Sequence, residues 1–287
     1  MIILLGANGQ LGSDIAKELK INKKSFKILN RNDLDLSNVE SLKILESFEF
    51  DYLINSTGYH KTDEVEDNAD LAFLVNSFSV RELAKICEKK NATLIHFSTD
   101  YVFGGVQHSE PISEEGITSP LNIYGSSKLM GENLIRHELE SHFICRVSSL
   151  FGEAGSSGKG GNFVEAIINK AKKNEKISVV GDQIMTPTST KSIANYVINL
   201  INEDIQFGTY NLVNDGEMSW FDFASLILEN LDFQNKIEEI QSKDLNLKAL
   251  RPSYSALSTS KIKSIGLSVS SSRSALTEYL KRKGHIG

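Results

Sequence analysis

The chain has 287 residues, 40% of them hydrophobic and 24% charged, which suits one large α/β unit or a main domain carrying a smaller one. That composition excludes a disordered chain, and the length excludes a mini-protein. With 31 Lys and Arg against 37 Asp and Glu, a formal charge of −6, and no basic run beyond the tail Lys281-Arg282-Lys283, no nucleic-acid partner is expected. The longest unbroken apolar stretch, Met1–Leu5, falls far short of the roughly 20 residues of a membrane helix, so no membrane partner is expected either.

That first stretch is the kind of apolar run that forms a parallel strand buried on both faces. Leu11, Ile15, Ala16 and Leu19 then recur at helical spacing, and Phe26, Ile28 and Leu29 supply a second strand. Further strands are predicted at Tyr52–Ile54, Leu94–Phe97 and Phe143–Val147, separated by helices at Leu42–Phe48, Leu71–Cys87 and Tyr124–Leu139. Such alternation predicts an α/β fold, a doubly wound parallel sheet with right-handed crossovers. Past Ser148 the alternation loosens, and the crowded glycines Gly152, Gly155, Gly158, Gly160 and Gly161 predict a flexible loop. Beyond it come a helix at Phe163–Lys172, a strand at Ile177–Val180, a helix at Ile193–Ile201, a strand at Tyr210–Val213 and a helix at Trp220–Leu231. We expect a main domain over 1–150 to which about 181–213 return, with about 151–180 and 214–287 forming a smaller mixed α/β lobe. Ser268–Ser274 reads as a serine cluster. The two cysteines, Cys87 and Cys145, are solitary and sit in apolar or helical patterns, and no secretory leader is seen, so reduced, buried thiols in the cytoplasm are expected.

The glycine turn Gly6-Ala7-Asn8-Gly9-Gln10-Leu11-Gly12 lies between the first strand and the first helix. Glycines there permit a tight turn and close approach of the backbone to a pyrophosphate, whose charge meets the unpaired N–H groups of the helix start. A dinucleotide cofactor is the expectation. An NAD-specific site favours an acidic residue at the end of the second strand, where Asn30 and Arg31 stand here. A guanidinium can grip a 2′-phosphate, so NADP(H) is favoured over NAD(H), with Asp33 and Asp35 close by as the counter-indication.

A strand ending Ser98-Thr99-Asp100-Tyr101 precedes Tyr124-Gly125-Ser126-Ser127-Lys128 at a helix start. Tyr124 and Lys128 are four apart and share one helix face. A phenol titrates near 10, and an adjacent ammonium would lower that by favouring the phenolate. Thr99 is placed to hydrogen-bond a substrate carbonyl.

In this order, these motifs resemble the extended short-chain dehydrogenase/reductases, and among them the dTDP-4-dehydrorhamnose reductases. The resemblance also rests on Asn55-Ser56-Thr57-Gly58-Tyr59, Leu74-Val75-Asn76, Phe97–Phe103, Pro120–Lys128, Asn162-Phe163, Asp182-Gln183, Pro187-Thr188, Ser219-Trp220 and Arg251-Pro252, over nearly the whole chain. It implies a Rossmann domain for the nicotinamide cofactor and a lobe closing over a nucleotide-linked 4-keto-6-deoxyhexose, reduced at C4, in deoxysugar biosynthesis for surface glycans. It implies that Tyr124 donates the proton, Lys128 holds the nicotinamide ribose and tunes Tyr124, and Thr99 positions the carbonyl. Gly6, Asn8, Gly9, Gln10, Leu11 and Gly12 would cradle the cofactor's pyrophosphate. Asn30, Arg31, Asp35 and Leu36 would lie at its adenosine end, and Thr57, Gly58, Tyr59 and Asn76 along it. On the sugar side would stand Asp100, Tyr101, Ser149, Asn162, Gln183, Pro187 and Arg251, the last as partner of the diphosphate.

Where that family reads Arg-Thr-Ser-Trp, this chain reads Arg146-Val147-Ser148-Ser149, so an apolar ring facing the sugar is replaced by Ser149. A different sugar, an epimerase, or a non-catalytic cofactor-binding subunit stay open as alternatives, with a monomer or homodimer expected. No metal is expected. His137 and His142 are five apart, not four, Gly158-Lys159-Gly160 lacks the rest of a phosphate loop, and no Gly-x-Ser-x-Gly elbow occurs.

Overall fold

The computed structural model describes residues 1–155, 161–234 and 236–287. Strand β1 (Ile2–Leu5) leads through the glycine turn into α1 (Gln10–Ile21) and back to β2 (Phe26–Leu29). β3 (Tyr52–Asn55) follows, then α2 (Thr62–Val65), α3 (Ala69–Phe73), α4 (Ser79–Lys89), β4 (Thr93–Thr99), α5 (Ile123–Glu138) and β5 (His142–Val147). After β6 (Leu150–Phe151) come α6 (Phe163–Lys172), β7 (Ile177–Val180), β8 (Ile184–Met185), β9 (Thr188–Ser189) and α7 (Thr190–Asn202). The chain ends with β10 (Gly208–Asn211), β11 (Met218–Ser219), α8 (Trp220–Asn230), β12 (Ile237–Ile240), α9 (Ser260–Ser264) and α10 (Ser272–Arg282).

Six strands make one sheet in the order β10-β5-β4-β3-β1-β2, and every pairing in it is parallel. The doubly wound α/β sheet expected from the alternation is therefore present. Its inner strands are buried on both faces, while Lys27 and Ile28 of the edge strand β2 are exposed, so alternate side chains of the inner strands enter different cores. Ile2 and Leu4 join Ile15 and Leu19 of α1 and Ile193 and Val197 of α7 on one side. Ile3 and Leu5 join Leu83 of α4 and Ile135 of α5 on the other. A separate core gathers Val164 and Ile168 of α6, Phe223 of α8, and Leu276 and Tyr279 of α10. β10 pairs with β5, and α7 packs on α1, where Thr190 Oγ1 donates to Asp14 Oδ2 at 2.5 Å.

Some elements differ from expectation. The segment expected as a helix at Leu42–Phe48 falls within Val39–Ser47 and its cap Phe48, which wind with the tighter three-residue period. The helix expected over Leu71–Cys87 is interrupted at Leu74–Phe78 by one wider π-type turn. The serine cluster proves to be a helix start, with the Ser271 side chain accepting from the Ser274 N–H to cap α10. Most of the glycine loop, residues 156–160, lies outside the described residues. Cys87 and Cys145 are both buried, and burial pushes both thiols up. Among the described residues, no helix is long and apolar enough to cross a membrane, and no group of three metal-ligating side chains gathers.

Candidate active site

The chain runs outward from β1 to β2, then crosses to the other side of β1 for β3, so strand order reverses between β1 and β3. Open α/β sheets bind ligands in the crevice at such a switch point. The turn after β1 is held there by its backbone, with Gly9 N–H donating to the Gly6 carbonyl at 2.9 Å. Gly6 has φ +82°, a left-handed conformation natural only to glycine. Gly12 lets α1 lie against the turn, since a methyl there would stand 2.1 Å from the Gly6 oxygen. The residue opening α1, Gly9, has no side chain to cap the helix, so its first amides are left for an anion. Beside them, Gln10 donates to the Leu150 carbonyl at 3.1 Å while its buried Oε1 has no partner among the described residues.

The facing wall comes from β3. Ser56 Oγ donates to the Leu5 carbonyl at 2.6 Å, stitching the two strand ends together. Thr57 and Gly58 continue the wall, and Tyr59, expected along the cofactor, does not line the cleft, its backbone being held by Asn76 in the π-type turn. Asn76 accepts from Tyr59 N–H at 2.9 Å and donates to the Tyr59 carbonyl and Ser127 Oγ, each at 3.0 Å. It is buried and fully engaged, so it shapes the wall from behind.

The third wall joins β4 to α5. Asn122 caps α5 by accepting from Gly125 N–H at 2.8 Å. At Gly125 an added methyl would meet the Tyr101 carbonyl at 2.2 Å, so the helix start is pressed onto the Thr99–Tyr101 turn. Tyr124 thereby reaches Thr99, and its ring meets that of Tyr101 edge-on at 5.8 Å. Burial pushes the Tyr124 phenol up to about 12, against a lowering by the Thr99 hydrogen bond. Burial also pulls Lys128 down to about 8, opposed by Glu132. This corrects the expectation of a phenol lowered by an adjacent ammonium, because Lys128 Nζ lies 3.0 Å from His96 Nε2 and 2.6 Å from the Phe97 carbonyl. Asp100 is buried, takes the hydroxyls of Thr99, Ser148 and Ser255 at 3.1, 3.0 and 2.6 Å, and is pushed up to about 6 by burial.

These walls enclose a cleft of about 570 Å³, closed on the far side by Phe163 and Trp220, whose ring centroids are 4.7 Å apart. Gly9, Gln10, Leu11, Thr57, Gly58, Thr99, Asp100, Tyr101, Tyr124, Lys128, Ser149 and Asn162 all line it. Ser149 has φ +46°. Asn162 is spent on structure, accepting from Glu165 N–H to cap α6 and donating to the Gly152 carbonyl and Tyr279 Oη. Gly6, Asn8 and Gly12 form the turn behind the lining. Leu36 is buried in the core, and Arg31 is exposed and paired with Asp35 at 3.1 Å, beyond Asn30. Gln183 and Pro187 stand away from the cleft walls, Pro187 buried with its carbonyl accepting from Ser272. Arg251 lies behind Tyr101 of the cleft wall, whose side chain it contacts, and is held bidentately by Asp63 at 2.9 and 2.6 Å, which keeps that carboxyl at about 2. Ser56, His60, Phe163, Glu165 and Trp220 also line the cleft, and Asn55 and His96 stand behind it, without a role expected from the sequence. Trp220 follows a serine in the family pattern, and His96 lies in an apolar strand.

The chain matches the family model described as RmlD substrate binding domain over residues 1–284. It is 32% identical over 283 residues to the spore coat polysaccharide biosynthesis protein SpsK of Bacillus subtilis, covering 98% of this chain and 97% of that one. A solved dTDP-4-dehydrorhamnose reductase from Clostridium acetobutylicum superposes with a TM-score of 0.92 at 32% identity, covering 99% of both chains. Another from Bacillus anthracis, in complex with NADP, gives 0.91 at 31% identity over 98% of both.

Proposed function

The chain belongs to the RmlD substrate binding domain family, and on that premise we propose that it reduces the C4 carbonyl of a dTDP-linked 4-keto-6-deoxyhexose, of the dTDP-4-dehydrorhamnose kind, to the alcohol. It is an oxidoreductase that uses a nicotinamide cofactor. One observation carries the reading: a single cleft joins the glycine turn at the switch point to Thr99, Tyr124 and Lys128.

The residues present fit a dinucleotide. The helix start without a side-chain cap, the close-packed glycines and the unpartnered Gln10 Oε1 offer donors, room and an acceptor where a pyrophosphate and its neighbours would lie. When bound, the cofactor supplies the hydride. Tyr124, with its phenol at about 12, holds its proton at neutral pH and gives it to the oxygen that becomes an alkoxide. Thr99 keeps that oxygen beside the phenol. Lys128 faces the cofactor ribose, and Trp220 with Phe163 supplies the apolar surface that Ser149 lacks.

NADP(H) is the preferred cofactor in this reading. Arg31 pairs with Asp35 in an exposed ion pair worth at most about 1 kcal/mol, which a 2′-phosphate can displace. Arg251, paired with Asp63 and in contact with Tyr101 of the cleft wall, keeps N–H donors for a substrate diphosphate. The test is oxidation of NADPH, and separately NADH, followed by nicotinamide absorbance with dTDP-4-dehydrorhamnose as substrate. Turnover favouring NADPH is expected. Cofactor binding without turnover on this and on a panel of other nucleotide keto-sugars would replace the proposal with a non-catalytic subunit.

A further inference from the structure

Behind the cleft, Asn55 at the end of β3, His96 within β4 and Lys128 of α5 form a buried row, none more than 3% exposed. Asn55 and His96 are register partners in the sheet, which brings Asn55 Nδ2 to 3.1 Å from His96 Nδ1. His96 Nε2 then meets Lys128 Nζ at 3.0 Å.

The direction of this row is set at its far end. Thr57 N–H, which can only donate, lies 3.1 Å from Asn55 Oδ1, and Thr57 Oγ1 lies 2.5 Å from the same oxygen. Asn55 Oδ1 is therefore the acceptor, and its NH₂ faces the imidazole. A neutral imidazole carries one N–H and one bare nitrogen. The nitrogen facing an NH₂ must be the bare one, so the proton sits on Nε2 and points at Lys128. An ammonium has donors only and finds no partner there, whereas a free amine offers its lone pair. We propose that His96 is a positioning residue for Lys128: as the Nε2–H tautomer fixed by Thr57 and Asn55, it donates to the lysine and holds it there as the uncharged amine.

The surroundings agree. Burial, the larger cause, keeps His96 neutral. The charged groups around Lys128 are few. Glu132, one turn further along α5, is gripped by Arg146 of β5 at 3.0 and 2.8 Å and by Arg136 at 2.8 Å. Tyr124 of α5 and Asp100 after β4 lie on the cleft side. The Phe97 carbonyl accepts from Lys128 in either charge state. Given the reading of Lys128 as the lysine facing the cofactor, a functional consequence follows. Lys128 takes up a proton by leaving His96 for acceptor oxygens in the cleft, and ribose hydroxyls are of that chemistry. Its charge then arrives beside Tyr124 together with the cofactor.

The test reads the protons directly. In protein labelled with ¹⁵N-histidine, NMR correlations report which ring nitrogen bears hydrogen, His96 being assigned by its loss in His96→Gln. Labelling the lysine side chains with ¹³C follows the titration of Lys128, assigned by Lys128→Met. We expect the Nε2–H tautomer above the Lys128 titration. In Asn55→Asp the new carboxylate accepts from both Thr57 N–H and the imidazole, so the tautomer should reverse to Nδ1–H. The bare Nε2 then accepts from an ammonium, and the proton affinity of Lys128 should rise about tenfold or more, one pH unit. An Nδ1–H tautomer in the unaltered protein overturns the proposal. So does a raised Lys128 titration in Asn55→Asp without reversal, which is a charge effect alone. No substrate enters these measurements, so failure of the reductase reading shows as lost turnover with the tautomers as expected.

Discussion

Two glycine exchanges in the first turn separate packing from anion binding. In Gly12→Ala the new methyl would stand 2.1 Å from the Gly6 oxygen and 2.6 Å from Ser56 Oγ. Because the first is backbone in the joint between β1 and α1, the helix must retreat by roughly 1 Å to restore an ordinary contact. Overpacking of this kind costs up to about 3 kcal/mol, and at roughly 2–4 °C per kcal/mol the melting temperature should fall by about 6–12 °C. In Gly9→Ala the nearest atom is 3.3 Å away and φ is −83°, an ordinary value. That variant should melt within about 2 °C of the parent, a change of at most about 0.5 kcal/mol. Gly9 lines the cleft at the start of α1, however, so its methyl obstructs the anion. NADPH affinity should weaken about tenfold or more, about 1.4 kcal/mol. Thermal melts measure the first effect. Fluorescence of Trp220, the chain's single tryptophan and part of the same cleft, measures the second. An unchanged melting point in Gly12→Ala, or unchanged NADPH binding in Gly9→Ala, would refute the reasoning.

Tyr124→Phe keeps the ring against Tyr101 but removes the proton, so turnover should drop about 10²–10⁴-fold with NADPH binding nearly intact; near-parental steady-state rates would remove the phenol from the reaction. Arg31→Ala should weaken NADPH and spare NADH in fluorescence titrations, and equal effects on both would make Arg31 an ordinary loop residue. Ser149→Gly relieves a left-handed residue and should raise stability by about 0.5–1 kcal/mol after the glycine's own entropy, a gain absent from denaturant titrations if the conformation carries no strain. Asp100 sits at about 6, above its ordinary 3.8. Between these values the folded chain binds more protons than the unfolded one, so the contribution of Asp100 to stability falls as pH rises from about 4 to about 6. Melting curves of the parent and Asp100→Asn should diverge across that window, and parallel curves would count against a buried, penalised carboxylate.

The parts of the site legible in the sequence were those built from neighbouring residues. The glycine turn needed only its place between an apolar strand and a helix, and Tyr124 with Lys128 needed only helical spacing. What stayed hidden depends on contacts across the fold. His96 sits in an apolar strand and looks like filler until the register sets it opposite Asn55. Arg251 looks like a free phosphate ligand until the fold brings Asp63, 188 positions earlier, against it. Asn162 has the composition of a binding residue and the duty of a helix cap. The π-type turn that aims Asn76 leaves the apolar period nearly unchanged, so the pattern ran straight through it.

The pairing of α1 with α7 also governs how the molecule is made. Leu11, Ile15 and Leu19 of α1 pack with Ile193 and Val197, and Thr190 reaches Asp14 across 176 positions. During synthesis the first five strands leave the ribosome with this face of α1 bare and the β5 edge unpaired until β10 arrives. Contacts so distant in the chain close slowly and leave apolar surface and strand edges prone to aggregation meanwhile. A fragment ending after β5 would hold the glycine turn and the Thr99, Tyr124 and Lys128 side chains. It would still lack a steady cofactor cradle, because the helix that the turn opens would have nothing to lean on.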